Sequence, residues 1–114
     1  MPRIKSNMKI VYIAHPISGD IENNLTDLRR IVRKINIEHK NIVPFVPYYV
    51  DIVSLDDNVA EERLRGIAND TAIIESGIIN EMWLTGQRIS KGMEAEKDLA
   101  IRHSIEIVDM IGKI

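Results

Sequence analysis

The feature that most constrains the fold is a pattern. Short runs of β-branched aliphatic residues alternate with longer stretches whose apolar residues recur at helical spacing. The first run, Lys9 to Ala14, is closed by His15-Pro16. A proline disfavours helix at the residue before it, so this run reads as a strand that ends in a loop. The loop, Ile17-Ser18-Gly19-Asp20, has turn chemistry. Leu25, Leu28, Ile31, Val32 and Ile35 then share one helical face and Arg29, Arg30, Arg33 and Lys34 the other, with Asp20, Asn23 or Asn24 as candidate caps. Residues 41–47 form a second short strand whose prolines mark an end or an edge. Residues 51–58 are acidic and loop-like. A second helix runs from Ala60 to about Ser76-Gly77, a third strand from Ile78 to Leu84, a third helix from Lys91 to His103, and a last strand from Ser104 to Met110.

Strand–helix alternation of this kind predicts an α/β fold with a parallel sheet. The expected form is an open, doubly wound three-layer α/β/α sandwich, flavodoxin-like or Rossmann-like, with four to five strands. Composition supports two-sided burial: the chain has one Trp, three Tyr and one Phe but is rich in isoleucine, as suits strands covered on both faces. With 114 residues there is room for one domain, read as residues 9–114 behind a tail over 1–8. Ligands of such sheets bind beyond the carboxyl ends of the strands, where the loops richest in polar residues fall.

Charge and composition exclude several classes. Fifteen basic against seventeen acidic residues give a net charge of −2, so no footprint for duplex nucleic acid or an anionic membrane is visible. The absence of cysteine removes disulfides, thiol catalysis and zinc fingers. His15, His39 and His103 lack metal-ligand spacing, so no metal is expected. Neither the phosphate-binding G-x-x-x-x-G-K-[ST] loop nor G-x-G-x-x-G occurs, and no cofactor is expected. No apolar run is long enough for a membrane span, and the first residues lack a signal-peptide core, so a cytoplasmic location is expected.

On the third helix Gly92, Met93, Leu99, Ala100 and His103 form one stripe, with Glu96 at its centre. A carboxylate there is paired, protonated or functional, because burying an unpaired charge is costly. Ser90 and Gly92 stand at the helix start, where free N–H groups can meet an anion and where a serine also serves as N-cap. Tyr12 lies within the first strand and reads as a core residue whose hydroxyl needs a partner. Asp70, on the second helix, faces solvent by default. Tyr48 and Tyr49, after the second strand, read as packing residues before stacking ones.

Three segments carry a resemblance: residues 11–20 (VYIAHPISGD) with Asn24 following, Trp83-Leu84-Thr85-Gly86, and Ser90-x-Gly92-x-x-x-Glu96-x-x-x-Ala100. In this order they resemble the nucleoside 2-deoxyribosyltransferase-like superfamily, which includes deoxyribonucleoside 5′-monophosphate N-glycosidases and small, often phage-associated relatives of unassigned function. The resemblance implies Glu96 as a nucleophile toward the anomeric carbon and Tyr12 as the hydroxyl that orients it. It implies Asp70 as the acid that contacts or protonates the leaving base. By the same resemblance the loop holding His15, Pro16, Ser18 and Gly19, with Asn24, meets the 5′ end of the ligand, and Ser90 and Gly92 meet its sugar or phosphate; independently of the resemblance, Lys91, Arg88 or His15 can add charge-assisted contacts to a phosphate. The implied activity is hydrolysis or transfer at the N-glycosidic bond of a (deoxy)nucleoside 5′-monophosphate, in a homodimer or higher homo-oligomer. A non-catalytic nucleotide-binding or sensing domain is the alternative on the same scaffold.

Overall fold

The structure, a computed structural model, describes residues 7–114. Residues 1–6 of the expected tail lie outside them. The order is β1 (Lys9–Ala14), α1 (Ile21–Glu38), β2 (Ile42–Phe45), α2 (Tyr48–Ser54), α3 (Ala60–Glu75), β3 (Glu81–Leu84), α4 (Lys91–Arg102) and β4 (Glu106–Asp109). All strand pairs are parallel, in the order β2-β1-β3-β4, giving the α/β/α sandwich with four strands.

Alternation along the central strands builds the two layers. Tyr12 and Ala14 of β1, with Met82 and Leu84 of β3, pack against Ile74 of α3 and Met93 and Ala100 of α4. Val11, Ile13 and Trp83 point the other way, onto Leu25, Leu28, Ile31 and Ile35 of α1. Successive strand residues face opposite sides, so a sheet covered on both sides needs an apolar residue at every position. Chain order reverses around β1: β2 lies on one side and β3 on the other, which opens a crevice at the carboxyl ends.

The elements differ from expectation at three places. The acidic stretch after β2 is helical in its first part: α2 takes in Asp51 to Ser54, and the loop is confined to the residues after it. None of the α2 residues is fully buried, so no apolar stripe announces the helix. β3 begins at Glu81; just before it the Asn80 N–H donates to the Ile10 carbonyl at 2.9 Å, while the Asn80 side-chain carbonyl, in place of a backbone one, accepts from the Ile10 N–H at 2.7 Å. β4 starts after Ser104, whose φ of 60° belongs to the left-handed region and ends the preceding helix. His103 caps α4 half-exposed, 3.5 Å from Glu75, and does not join the buried stripe.

No helix among the described residues is long and apolar enough to cross a membrane.

Candidate active site

Two loops at the carboxyl end of the sheet lock together. Gly86, after β3, has φ of 90°, and a Cβ there would stand 2.7 Å from Pro16 Cδ. Only glycine meets both demands. Thr85 fastens the same junction: its hydroxyl and its N–H both donate to the Ala14 carbonyl, at 2.8 and 2.9 Å. His15 is buried, with Nδ1 2.7 Å from the Pro16 carbonyl and Nε2 2.9 Å from Asp27 of α1. Burial opposes the Asp27 charge, but hydrogen bonds from His15 and Arg30 outweigh it and hold the carboxyl below its ordinary range. Asn24 donates to the Ile17 carbonyl at 2.9 Å. His15, Pro16 and Asn24 therefore shape the β1–α1 loop, and Ser18 is the predicted loop residue that lines the cleft beside it.

That cleft has a volume of about 750 Å³ and lies between the β1–α1 loop, α2, α3 and the first turns of α4. The size suits a small-molecule ligand. Glu96 and Asp70 line it, as do Gly92 and Tyr48. The Tyr12 hydroxyl, on a fully buried side chain that does not itself line the cleft, is 2.5 Å from Asp70 Oδ1 and also hydrogen-bonds Glu96 Oε2. The structure thus brings β1, α3 and α4 to one point through three polar atoms.

The electrostatics follow from this crowding. Burial pushes the Glu96 carboxyl well above its ordinary range, and the Asp70 charge and the hydrogen bond between the two acids add to the shift; the Tyr12 hydrogen bond opposes it. Burial also raises Asp70, opposed by the hydrogen bonds to Glu96 and Tyr12 and assisted by the nearby Asp51 charge. Both acids are raised, and two carboxyl groups bonded to each other share one proton. Burial, then the charges of Glu96 and Asp70, push the Tyr12 hydroxyl well above its ordinary range, so it stays a donor.

Tyr48 was not among the predicted site residues. Its hydroxyl donates to the Ile13 carbonyl at 2.6 Å, and its ring centroid lies 5.8 Å from that of Tyr12. It packs and lines the cleft at once, anchoring α2 as a wall. A tyrosine right after an edge strand was the available signal. Ser90 is the N-cap of α4: its hydroxyl accepts from the Met93 N–H at 3.2 Å and does not line the cleft. Gly19, with φ of 95°, makes the turn before α1 and does not line it either. Nor do Arg88 and Lys91; the cationic lining residue is Arg63 of α3.

A stretch of 48 residues is 40% identical to a 6-pyruvoyl tetrahydrobiopterin synthase of Poecilia reticulata, covering 40% of this chain and 32% of that protein. The chain thus spans about a third of the length of the curated relative it matches, too little to assign chemistry. A family described as a domain of unknown function (DUF7768) matches residues 9–110, which take in every described strand and helix and all of Tyr12, Asp70 and Glu96, and the chain belongs to that family.

Proposed function

We propose that this protein cleaves or transfers the N-glycosidic bond of a (deoxy)nucleoside or its 5′-monophosphate through a glycosyl ester on Glu96. The observation that carries this is the pair of half-buried acids, Glu96 and Asp70, that line a cleft with room for a nucleoside and are bridged from beneath by Tyr12. Cleavage at the anomeric carbon passes through an oxocarbenium-like state, which a carboxylate beneath the sugar stabilises and then captures. The leaving base departs more readily if a nitrogen is protonated.

One shared proton serves both needs. Glu96 passes it to Asp70 and attacks C1′ as a carboxylate. The C1′–N bond breaks, its electron pair stays with the base, and Asp70 returns the proton to that base. Water or a second base then attacks C1′, the Glu96 carboxylate leaves, and Asp70 accepts the proton of the incoming nucleophile. Tyr12 keeps its own proton and holds the Glu96 oxygen in line. Tyr48 offers its ring to one side of the ligand.

Incubation with a panel of nucleosides and 5′-monophosphates, with free base read by chromatography, tests this. Base release that Glu96→Gln abolishes is the expected result. A fully inactive panel, or a Glu96→Gln variant as active as the parent, overturns it. Saturable binding without base release would make the cleft a sensor instead. Val50 and Val53 of α2 and Leu64 and Ile67 of α3 are exposed on the helices that wall the cleft, which supports a homodimer or higher homo-oligomer. Sedimentation of a strict monomer would contradict that.

A further inference from the structure

Resting on that reading, we propose that the preferred substrate is a cationic N-glycoside: a ribosyl or deoxyribosyl compound whose glycosidic nitrogen belongs to a positively charged ring and whose 5′ end carries no phosphate. The observation is the sign of the cleft. Of the chain's 17 acidic and 15 basic residues, six acids and one base line it, which leaves eleven acids and fourteen bases elsewhere. The cleft is strongly acidic on a chain that is otherwise mildly basic. Asp51, Asp56, Asp57 and Glu62 join Asp70 and Glu96 on its walls, against Arg63 alone.

These acids do not form a chelate. Among the described residues no group of three or more His, Asp or Glu is arranged to hold a metal ion. They act as a field, and charges lining a low-dielectric cleft focus it. The proton held between Asp70 and Glu96 removes one negative charge, Arg63 offsets another, and the amino end of α4 adds about half a positive charge at most. The balance stays negative by several charges. A phosphate dianion would enter against it, and Ser90, whose hydroxyl oxygen caps α4, does not line the cleft. A cation enters with it, and Tyr48 lines the cleft with an aromatic ring of the kind on which cations rest.

The chemistry suits the same ligand. When the C1′–N bond of a ring cation breaks, the bonding pair neutralises the ring, so the base leaves without a proton. Glu96 gives its proton to Asp70 and bonds C1′. Water then attacks C1′, the Glu96 carboxylate is released, and one proton goes to solvent.

The test compares three ligands of one shape: nicotinamide riboside, its neutral 1,4-dihydropyridine form, and nicotinamide mononucleotide. Binding is measured by calorimetry on the Glu96→Gln variant and base release on the parent protein, at 50 and 300 mM NaCl, with and without magnesium. Nicotinamide riboside should bind at least tenfold tighter than the dihydro form and the mononucleotide, and the advantage should shrink at high salt. The combined variant Asp56→Asn, Asp57→Asn, Glu62→Gln should lower the ratio of cationic to neutral binding. Equal or tighter binding of the neutral form, or of the mononucleotide under any condition, overturns the proposal while base release from neutral nucleosides leaves the glycosidase itself standing. No base release from these compounds or from ordinary nucleosides overturns both.

Discussion

Replacing Glu96 with glutamine should stabilise the protein at neutral and alkaline pH and flatten the pH dependence of its stability. Glutamine reproduces the protonated acid: its carbonyl accepts from Tyr12 and its amide donates to Asp70. In the parent, burial and the Asp70 charge raise the Glu96 pKa on folding. The favourable contribution of that proton is fully present below the ordinary glutamate pKa, where both folded and unfolded chains carry it. As the pH rises, the unfolded chain gives up the proton first, so stability is lost until the pH has passed the folded pKa. One proton corresponds to a slope of about 1.4 kcal/mol per pH unit, or roughly 5 °C in Tm per unit for a domain of this size. Asp70, also raised, acts in the same sense, whereas the lowered carboxyls of Asp27 and Glu81 act only at more acidic pH. Urea unfolding from pH 5 to pH 8 measures the slope. A Glu96→Gln variant as pH-sensitive as the parent would refute the shared proton.

Three further substitutions separate chemistry from architecture. Tyr12→Phe removes the hydroxyl common to both acids; it should cost about 1–3 kcal/mol in urea unfolding and slow base release by about 100-fold, and unchanged turnover would deny the tyrosine its orienting role. Gly86→Ala sets a methyl group against Pro16 in a left-handed conformation and should destabilise by about 2–4 kcal/mol; a Tm unchanged in a thermal melt would mean the two loops are not locked. Ser90→Ala should cost about 1 kcal/mol as a lost N-cap and leave KM for 5′-phosphorylated ligands unaltered. A raised KM with unchanged stability would assign its hydroxyl to phosphate.

The sheet was legible because two-sided burial writes itself into the sequence. Val11 to Ala14 are all fully buried, so the run is unbroken, and His15-Pro16 marks its end. Glu96 was legible as an acid among Met93, Leu99 and Ala100. The pairing of Asp70 with it was not visible in periodicity, because contact between α3 and α4 depends on how both cross the sheet; only the resemblance put Asp70 in the site. α2 carries no helical signature in the sequence because it is seven residues long and rich in β-branched residues, which favour strand over helix. The resemblance makes His15 a ligand contact, yet its two nitrogens are spent on Pro16 and Asp27, a use set by three-dimensional neighbours rather than by spacing.

The most direct measurement is a crystal structure of the protein soaked with a slowly reacting nucleoside. The expected result places a Glu96 carboxyl oxygen about 3–3.5 Å from C1′, in line with the departing base nitrogen, with Tyr12 still bonded to that carboxyl group. A sugar bound with C1′ turned away from Glu96, or a ligand that avoids the cleft altogether, would contradict the account.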